Sequence, residues 1–323
     1  MNHKVSGGAS RLVPGSSEDL GQLIQEEALT MERDRSCGPS SAGITGASIS
    51  GSVADELDGG VLTLTLSNPE AKNALSHGML LALHGFLKEA ALDRSVRTIV
   101  LTGAGDAFCS GADVRHFGNK QDDDPVAARF GSQEGWSSLE LRSHRIAQEA
   151  ERAAFLHSIG KPTVAVIRGA AAGAGMSLAL ACDFRLAAET AIFTTAFAKL
   201  GSAGDLGIGH HLVRLVGLQK ARELLFFSDR VPAGTAFGMG LVDRVFAAAD
   251  LASESERFAR RLAEGPPIAY HYLKRNLELA QTEPLHRYIV AESQHQARCF
   301  ATEDSKEAFE AFRQKRKPAF HGR

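Results

Sequence analysis

The sequence lacks the features that would assign it to a membrane or nucleic-acid class. No apolar run approaches the roughly 18 residues of an ordinary transmembrane helix, and no apolar signal segment opens the chain. Lys and Arg total 36 against 38 Asp and Glu, so the net charge of −2 gives no general attraction to nucleic acid or anionic lipid. We therefore expect a cytoplasmic protein that binds neither nucleic acid nor membrane.

Cysteine is also scarce, with four residues far apart in the chain and no CxxC pair. This spacing predicts free, packing thiols and neither a zinc site nor a disulfide framework. The chain has no GxxxxGK[ST] loop and no complete GxGxxG fingerprint, so ATP and NAD sites are unsupported. We expect no metal and no cofactor of the protein's own.

The first 52 residues differ in composition from the rest, with eight Gly and ten Ser. Such a segment cannot bury enough apolar surface to offset chain entropy, which predicts a flexible extension over residues 1–52. We assign the remainder to a core at 53–250 and a helical C-terminal region at 251–323.

Apolar periodicity predicts strands that alternate with helices in the core. The predicted strands are 61–66, 98–102, 163–167, 184–187 and 192–193, and the predicted helices are 76–91, 137–158 and most of the chain after 212. This order favours an α/β fold with right-handed crossovers and a helical C-terminal cap.

Three Gly/Ala-rich segments follow predicted strands, at 108–114, 169–177 and 199–207. Small residues let backbone approach a ligand closely, and a following helix directs free N–H groups at negative charge. Taken singly, each segment is better explained by tight packing of a helix on a sheet.

Taken together, the segments resemble the crotonase superfamily, the enoyl-CoA hydratase/isomerase group. Four motifs carry the resemblance from Val61 to the C-terminus: 68–76, 101–113, Lys161-Pro162 with 169–183, and 302–318. The resemblance implies a crotonase-like ββα spiral core with a helical C-terminal trimerisation region. It also implies an acyl-CoA thioester substrate, coenzyme A being part of that substrate, and assembly as a homotrimer or hexamer.

The resemblance places an oxyanion hole at the backbone N–H groups of Ala112 and Ala174. Preorganised donors of this kind stabilise the negative charge that develops on a thioester oxygen, each by roughly 3–4 kcal/mol. The family more often carries Gly at position 174. Ala can serve there because the donor is the backbone, although its methyl group narrows the acyl pocket.

The side chains depart from those of typical hydratases, which orient water with two glutamates. Ser177 and Phe197 stand at the matching positions, and neither can act as an acid or base near neutral pH. Asp205, four residues after Gly201, matches the catalytic aspartate of dienoyl-CoA isomerases and 4-chlorobenzoyl-CoA dehalogenases. An alternative is that Asp205 caps a helix beginning near Leu206.

Contacts to coenzyme A or the acyl group are also implied by the resemblance. The candidate binding residues are Ala71, Lys72, Ala112, Asp113, Val114, Gly173, Ser177, Phe197, Phe300 and Lys315. Phe300 and Lys315 match positions that often reach the nucleotide from a neighbouring subunit.

The leading hypothesis is double-bond isomerisation of an enoyl- or dienoyl-CoA, with Asp205 as the single proton shuttle. A hydratase that recruits Asp205 is the second, and a hydrolytic dehalogenase is the third, since the tryptophan that dehalogenases need is replaced by Phe197. A non-catalytic acyl-CoA-binding or RNA-binding homologue is the alternative from another class, with Lys315-Arg316-Lys317 as its one short basic cluster.

Overall fold

The computed structural model describes residues 51–113 and 139–323, except for the side chains of residues 140–142. These residues belong to one unit, Ser48–Arg323. The division into an extension at 1–52, a core at 53–250 and a C-terminal region at 251–323 stays a prediction.

Nine strands and nine helices follow one another in the described part of the chain. The strands are β1 (Ser52–Asp58), β2 (Val61–Ser67), β3 (Thr98–Gly103), β4 (Thr163–Ile167), β5 (Ala170–Ala172), β6 (Phe184–Ala188), β7 (Ile192–Thr194), β8 (Val231–Pro232) and β9 (Arg244–Phe246). The helices are α1 (His77–Leu92), α2 (Leu139–Ser158), α3 (Ala174–Ala181), α4 (Ile208–Phe227), α5 (Ala233–Gly238), α6 (Leu251–Ala263), α7 (Pro267–Thr282), α8 (Leu285–Phe300) and α9 (Glu303–Gln314).

The strands form two sheets. The larger has the order β1-β2-β3-β4-β6-β9, and every pair except β1-β2 is parallel. The smaller has the order β5-β7-β8, with β5-β7 parallel and β7-β8 antiparallel. The predicted α/β architecture is confirmed, since parallel strands require the long crossovers that the helices supply.

Apolar patterning explains where the large sheet is buried. In β2, Leu62, Leu64 and Leu66 are buried while the intervening threonines are half-buried. In the central strand β4 all five residues are buried, as expected for a strand covered on both faces. The core therefore lies against both sides of β3 and β4, and it holds the loops at their carboxyl ends in place.

Two strands of the large sheet were not predicted from the sequence. β1 is mostly exposed and lacks apolar alternation, yet it pairs with β2 through a turn at Gly59 and Gly60, both at positive φ (54° and 83°). β9 has only three residues and lies in the stretch predicted to be almost entirely helical. It extends the sheet by pairing with β6.

The predicted helical C-terminal region is confirmed as α6 to α9. Lys274 on α7 ties it to the core, because its Nζ lies 2.9 Å from Oδ2 of Asp183, just before β6. The helices α7 and α8 contain no fully buried residue, and large apolar side chains such as Leu277 and Leu285 are exposed on them. Within residues 51–113 and 139–323, no helix combines the length and apolarity needed to cross a membrane.

Candidate active site

The first two Gly/Ala-rich segments lie side by side. The N–H groups of Phe108 and Cys109 donate to the Ala170 carbonyl at 3.1 and 3.0 Å, and the Ala172 N–H donates to the Cys109 carbonyl at 2.9 Å. The segment after β3 is therefore paired with β5, which leads directly into α3.

Two glycines permit this close approach. A Cβ on Gly175 would overlap the carbonyl oxygen and side chain of Cys109. Gly173, the N-cap of α3, has φ of 50°, a left-handed value that side chains other than glycine rarely adopt. Packing therefore requires glycine at position 175, and the backbone conformation requires it at position 173, directly before α3 begins.

Among the described residues, the N–H groups of Ala112 and Ala174 have no backbone hydrogen-bond partner. Leu75 N–H donates to the Gly111 carbonyl at 2.7 Å and Asp113 N–H donates to the Leu75 carbonyl at 2.9 Å, whereas the intervening Ala112 N–H makes no backbone hydrogen bond in the described structure. Ala174 is the first residue of α3, whose N–H has no partner within the helix. A Cβ on Gly111 would lie 3.9 Å from Ala174 N, so the structure brings the two predicted donors to adjacent loops.

Ser177 and Phe197 are buried, and neither supplies a charged group. The Ser177 side chain is fully enclosed, and its Oγ lies 3.0 Å from the carbonyl oxygen of Asp205 and 3.2 Å from that of Gly173. Phe197 precedes a short 3₁₀ turn, Ala198–Leu200, and packs in the main core. The Ser177 hydroxyl is therefore engaged with backbone, and its contact with substrate stays a prediction.

Asp205 lies on the loop between this turn and α4, and its side chain is half-buried. Its Oδ1 accepts a hydrogen bond from Leu206 N–H at 2.7 Å. The helix begins at Ile208 with Gly207 as N-cap and no side-chain cap, so the alternative of Asp205 as a helix cap is wrong. The backbone at Leu206 has a left-handed φ of 48°, so the helix begins only after this residue.

Burial raises the pKa of Asp205 above its ordinary range, the Leu206 N–H opposes this effect, and the negative charge of Glu149 adds to it. A carboxylate with a raised pKa holds a proton more readily. Asp205 is thereby suited to accepting and returning protons.

Glu149, on α2, is a neighbour of Asp205 that the sequence analysis missed. Its Oε1 lies 3.0 Å from Nδ1 of His77 and 3.8 Å from Nε of Arg145. The hydrogen bond with His77 lowers the pKa of Glu149, so this side chain stays ionised. No local motif marks Glu149, because its relation to Asp205 exists only in the folded chain.

The first-strand motif adjoins the first loop. Ser110 Oγ donates to the Ala71 carbonyl at 2.7 Å, and Ser110 N–H donates to the Lys72 carbonyl at 3.0 Å. Lys72 is exposed, and its backbone is in the left-handed region with φ of 50°. Its ammonium is thus accessible beside the loop that carries Ala112.

The other predicted binding residues are placed differently. Asp113 is buried, and its Oδ2 lies 3.5 Å from Nδ2 of Asn68, so the carboxylate is directed into the protein. Val114 lies outside the described residues. Phe300 ends α8, and its ring lies 6.2 Å from that of Phe309, while Lys315 is the C-cap of α9. No hydrogen bond or ring contact in the described ranges joins Phe300 or Lys315 to the Ala112 and Ala174 loops.

The Cys109 thiol beside the first loop adds no further reactive group. Burial raises the pKa of the Cys109 thiol to about 12, which keeps it protonated and unreactive. Within the described ranges, no group of three or more His, Cys, Asp or Glu side chains is arranged to hold a metal ion.

Comparison with known proteins identifies the family. The family described as "Enoyl-CoA hydratase/isomerase" matches residues 56–323. The chain belongs to the enoyl-CoA hydratase/isomerase family. Its fold is accordingly the crotonase fold, and the α/β core with a helical C-terminal region is the form that this family takes here.

Relatives within the enoyl-CoA hydratase/isomerase family carry names for different reactions. The chain is 31% identical to the 1,2-epoxyphenylacetyl-CoA isomerase of Escherichia coli, over 84% of this chain and 98% of the relative. It is 33% identical to the 2,3-dehydroadipyl-CoA hydratase of Escherichia coli, over 81% and 96%. A crystal structure of an enoyl-CoA hydratase from Polaromonas sp. JS666 superposes with a TM-score of 0.74 at 31% identity, covering 84% of this chain and all of the other.

Proposed function

We propose that this protein isomerises the carbon–carbon double bond of an enoyl- or dienoyl-CoA, with Asp205 as the proton shuttle. The observation that carries the proposal is the half-buried Asp205 carboxylate with a raised pKa, on a loop hydrogen-bonded to the helix that begins at Ala174. Residues 177 and 197, a buried serine and a buried phenylalanine, supply no second acid.

In the proposed reaction, ionised Asp205 removes a proton from an acyl carbon activated by the thioester and the double bond. The electron pair moves to the thioester oxygen, which accepts hydrogen bonds from the N–H groups of Ala112 and Ala174. Protonated Asp205 then returns the proton two carbons away, and the double bond forms at its new position. A raised pKa assists both steps, because the carboxylate must be a competent base first and an acid afterwards.

The substrate contacts proposed for coenzyme A are the backbone near Ala71 and Ala112 and the ammonium of Lys72, whose charge suits a phosphate group. Large exposed apolar side chains on α7 to α9, among them Leu277 and Phe312, support assembly with further copies of the chain as a homotrimer or hexamer. Light scattering tests the assembly, which a monomer at micromolar concentration would contradict.

Hydration is the second candidate, and one observation favours it. The negative charge of Glu149 contributes to the raised pKa of Asp205, so a second carboxylate acts on this site. Two carboxylates can orient and activate one water molecule, the task for which positions 177 and 197 lack suitable groups.

One assay separates these candidates. The full chain is incubated in D2O with a 3-enoyl-CoA and, separately, with crotonyl-CoA, and the products are identified by mass spectrometry. We expect conversion of the 3-enoyl-CoA to a 2-enoyl-CoA with little water addition to crotonyl-CoA. Rapid formation of the 3-hydroxyacyl-CoA would favour hydration, and binding without isotope exchange or turnover would contradict both enzymatic functions.

A further inference from the structure

One buried hydroxyl joins the two halves of the candidate site. Ser177 Oγ lies 3.2 Å from the Gly173 carbonyl oxygen, at the start of α3, and 3.0 Å from the Asp205 carbonyl oxygen, just before α4. Its side chain is fully enclosed by protein. The hydroxyl therefore makes its hydrogen bonds with protein backbone.

The Gly173 carbonyl is already held without the hydroxyl. Ser177 N–H donates to it at 3.0 Å as part of the first turn of α3. In a trans peptide the carbonyl of Gly173 and the N–H of Ala174 lie in one plane and point in opposite directions. Fixing that carbonyl therefore fixes the direction of the Ala174 N–H, and this function belongs to the backbone of α3.

The single hydroxyl proton is thus available for the Asp205 carbonyl. That carbonyl also accepts a hydrogen bond from Ile208 N–H at 3.1 Å, so it is held from both the α3 side and the α4 side. The next residue, Leu206, has a left-handed φ of 48°, a strained conformation that persists only where its surroundings impose it. The Ser177 hydroxyl is a contact from α3 that holds this strained turn.

We propose that Ser177 is a positioning residue, whose hydroxyl sets the Asp205 carboxylate at a fixed distance from the Ala174 N–H. This inference rests on the proposed function of Asp205 and deepens it. Proton transfer depends steeply on the separation of acid and carbon. The Ser177 hydroxyl is enclosed against backbone, so we expect its removal to leave coenzyme A binding nearly unchanged. The turnover number and the affinity for substrate should therefore respond differently to its removal.

The test is Ser177→Ala, which keeps the helix and the N–H bond to Gly173 but removes the contact with Asp205. We expect kcat for 3-enoyl-CoA isomerisation to fall roughly 5- to 10-fold, the effect of one hydrogen bond, with KM changed less than 2-fold. Ser177→Thr retains the hydroxyl and should recover most of the lost kcat. Ser255→Ala is the matched control, because Ser255 is a buried helical serine whose Oγ has no hydrogen-bond partner in the described structure.

The outcomes separate this inference from the proposed function. A wild-type protein that neither isomerises nor exchanges acyl protons would overturn the proposed function, and the positioning role with it. An active wild type whose Ser177→Ala variant keeps its kcat, or loses no more than Ser255→Ala, would overturn the positioning role alone. If Ser177→Ala does not fold, Ser177→Cys fills the same space with a weak donor and should give the same loss of kcat at unchanged KM.

Discussion

His77 Nδ1 lies 3.0 Å from Oε1 of Glu149, a contact that joins the first turn of α1 to the middle of α2. The hydrogen bond lowers the pKa of Glu149, whereas burial, with a contribution from Glu149, raises the pKa of Asp205. Two carboxylates with pKa values moved in opposite directions are suited to different roles. In the proposed reaction Glu149 remains an anion, and Asp205 is the group that exchanges protons.

Replacing Glu149 with Gln should lower the pKa of Asp205, because a negative charge that disfavours its ionisation is removed. If ionised Asp205 starts the reaction, the acidic limb of the kcat/KM profile should move to lower pH. Glu151→Gln removes the same charge from an exposed position on the same helix and should leave the profile in place. An unmoved limb in Glu149→Gln would show that Glu149 does not act on the titrating group.

Gly175→Ala should destabilise the protein by roughly 1–3 kcal/mol, since the new methyl group would overlap Cys109 in a packed interior. Thermal or urea unfolding measures the change in the free energy of unfolding. Gly85→Ala is the control, because a Cβ at this mid-helix position of α1 meets no atom within 4 Å. That substitution should stabilise the protein by about 0.5–1 kcal/mol, and equal effects of the two would contradict the tight contact between the loops.

Lys274→Ala should weaken the attachment of α7 to the core. Oδ2 of Asp183 accepts from Lys274 Nζ at 2.9 Å and from the N–H and Oγ1 of Thr163 at 2.8 and 3.0 Å. We expect a loss of roughly 1–2 kcal/mol in the free energy of unfolding, the effect of one hydrogen bond between charged groups at a half-buried site. Lys220→Ala breaks an exposed pair with Glu223 and should cost less than about 1 kcal/mol, so similar losses would contradict the account.

The parts of the fold that were predictable are those with a strong local signal. The buried run of β4 and the alternation of β2 come directly from apolar side chains, and Ser76 marks the start of α1 by accepting from Met79 N–H at 3.2 Å. β1 carries almost no apolar signal, because only Val53 faces inward, and β9 is too short for a period to emerge. β1 is held by its hairpin with the adjacent strand β2, whereas β9 depends on pairing with β6, a strand from another part of the chain.

The candidate site likewise has features that the local sequence predicts and features that it does not. Small residues at Gly173 and Gly175 mark the loop because backbone geometry constrains them individually. The hydrogen bond between Ser177 and Asp205 joins residues far apart in the chain, as does the electrostatic effect of Glu149 on Asp205. The local spacing of residues therefore predicts neither of them. The sequence therefore predicts the backbone donors and the acid as candidates, but not the contact of Asp205 with Ser177 or the electrostatic effect of Glu149 on it.

Asp205→Asn, measured as the rate of deuterium exchange into a 3-enoyl-CoA in D2O, tests the central claim most directly. Asn can still accept the hydrogen bond from Leu206 N–H. The substitution also removes a carboxylate whose raised pKa makes its ionised form unfavourable in the folded state. The thermal midpoint at neutral pH should therefore not fall. We predict that exchange and isomerisation decrease roughly 10²- to 10⁴-fold while acyl-CoA affinity stays within a few-fold. Exchange at the wild-type rate in a folded Asp205→Asn protein would contradict the account.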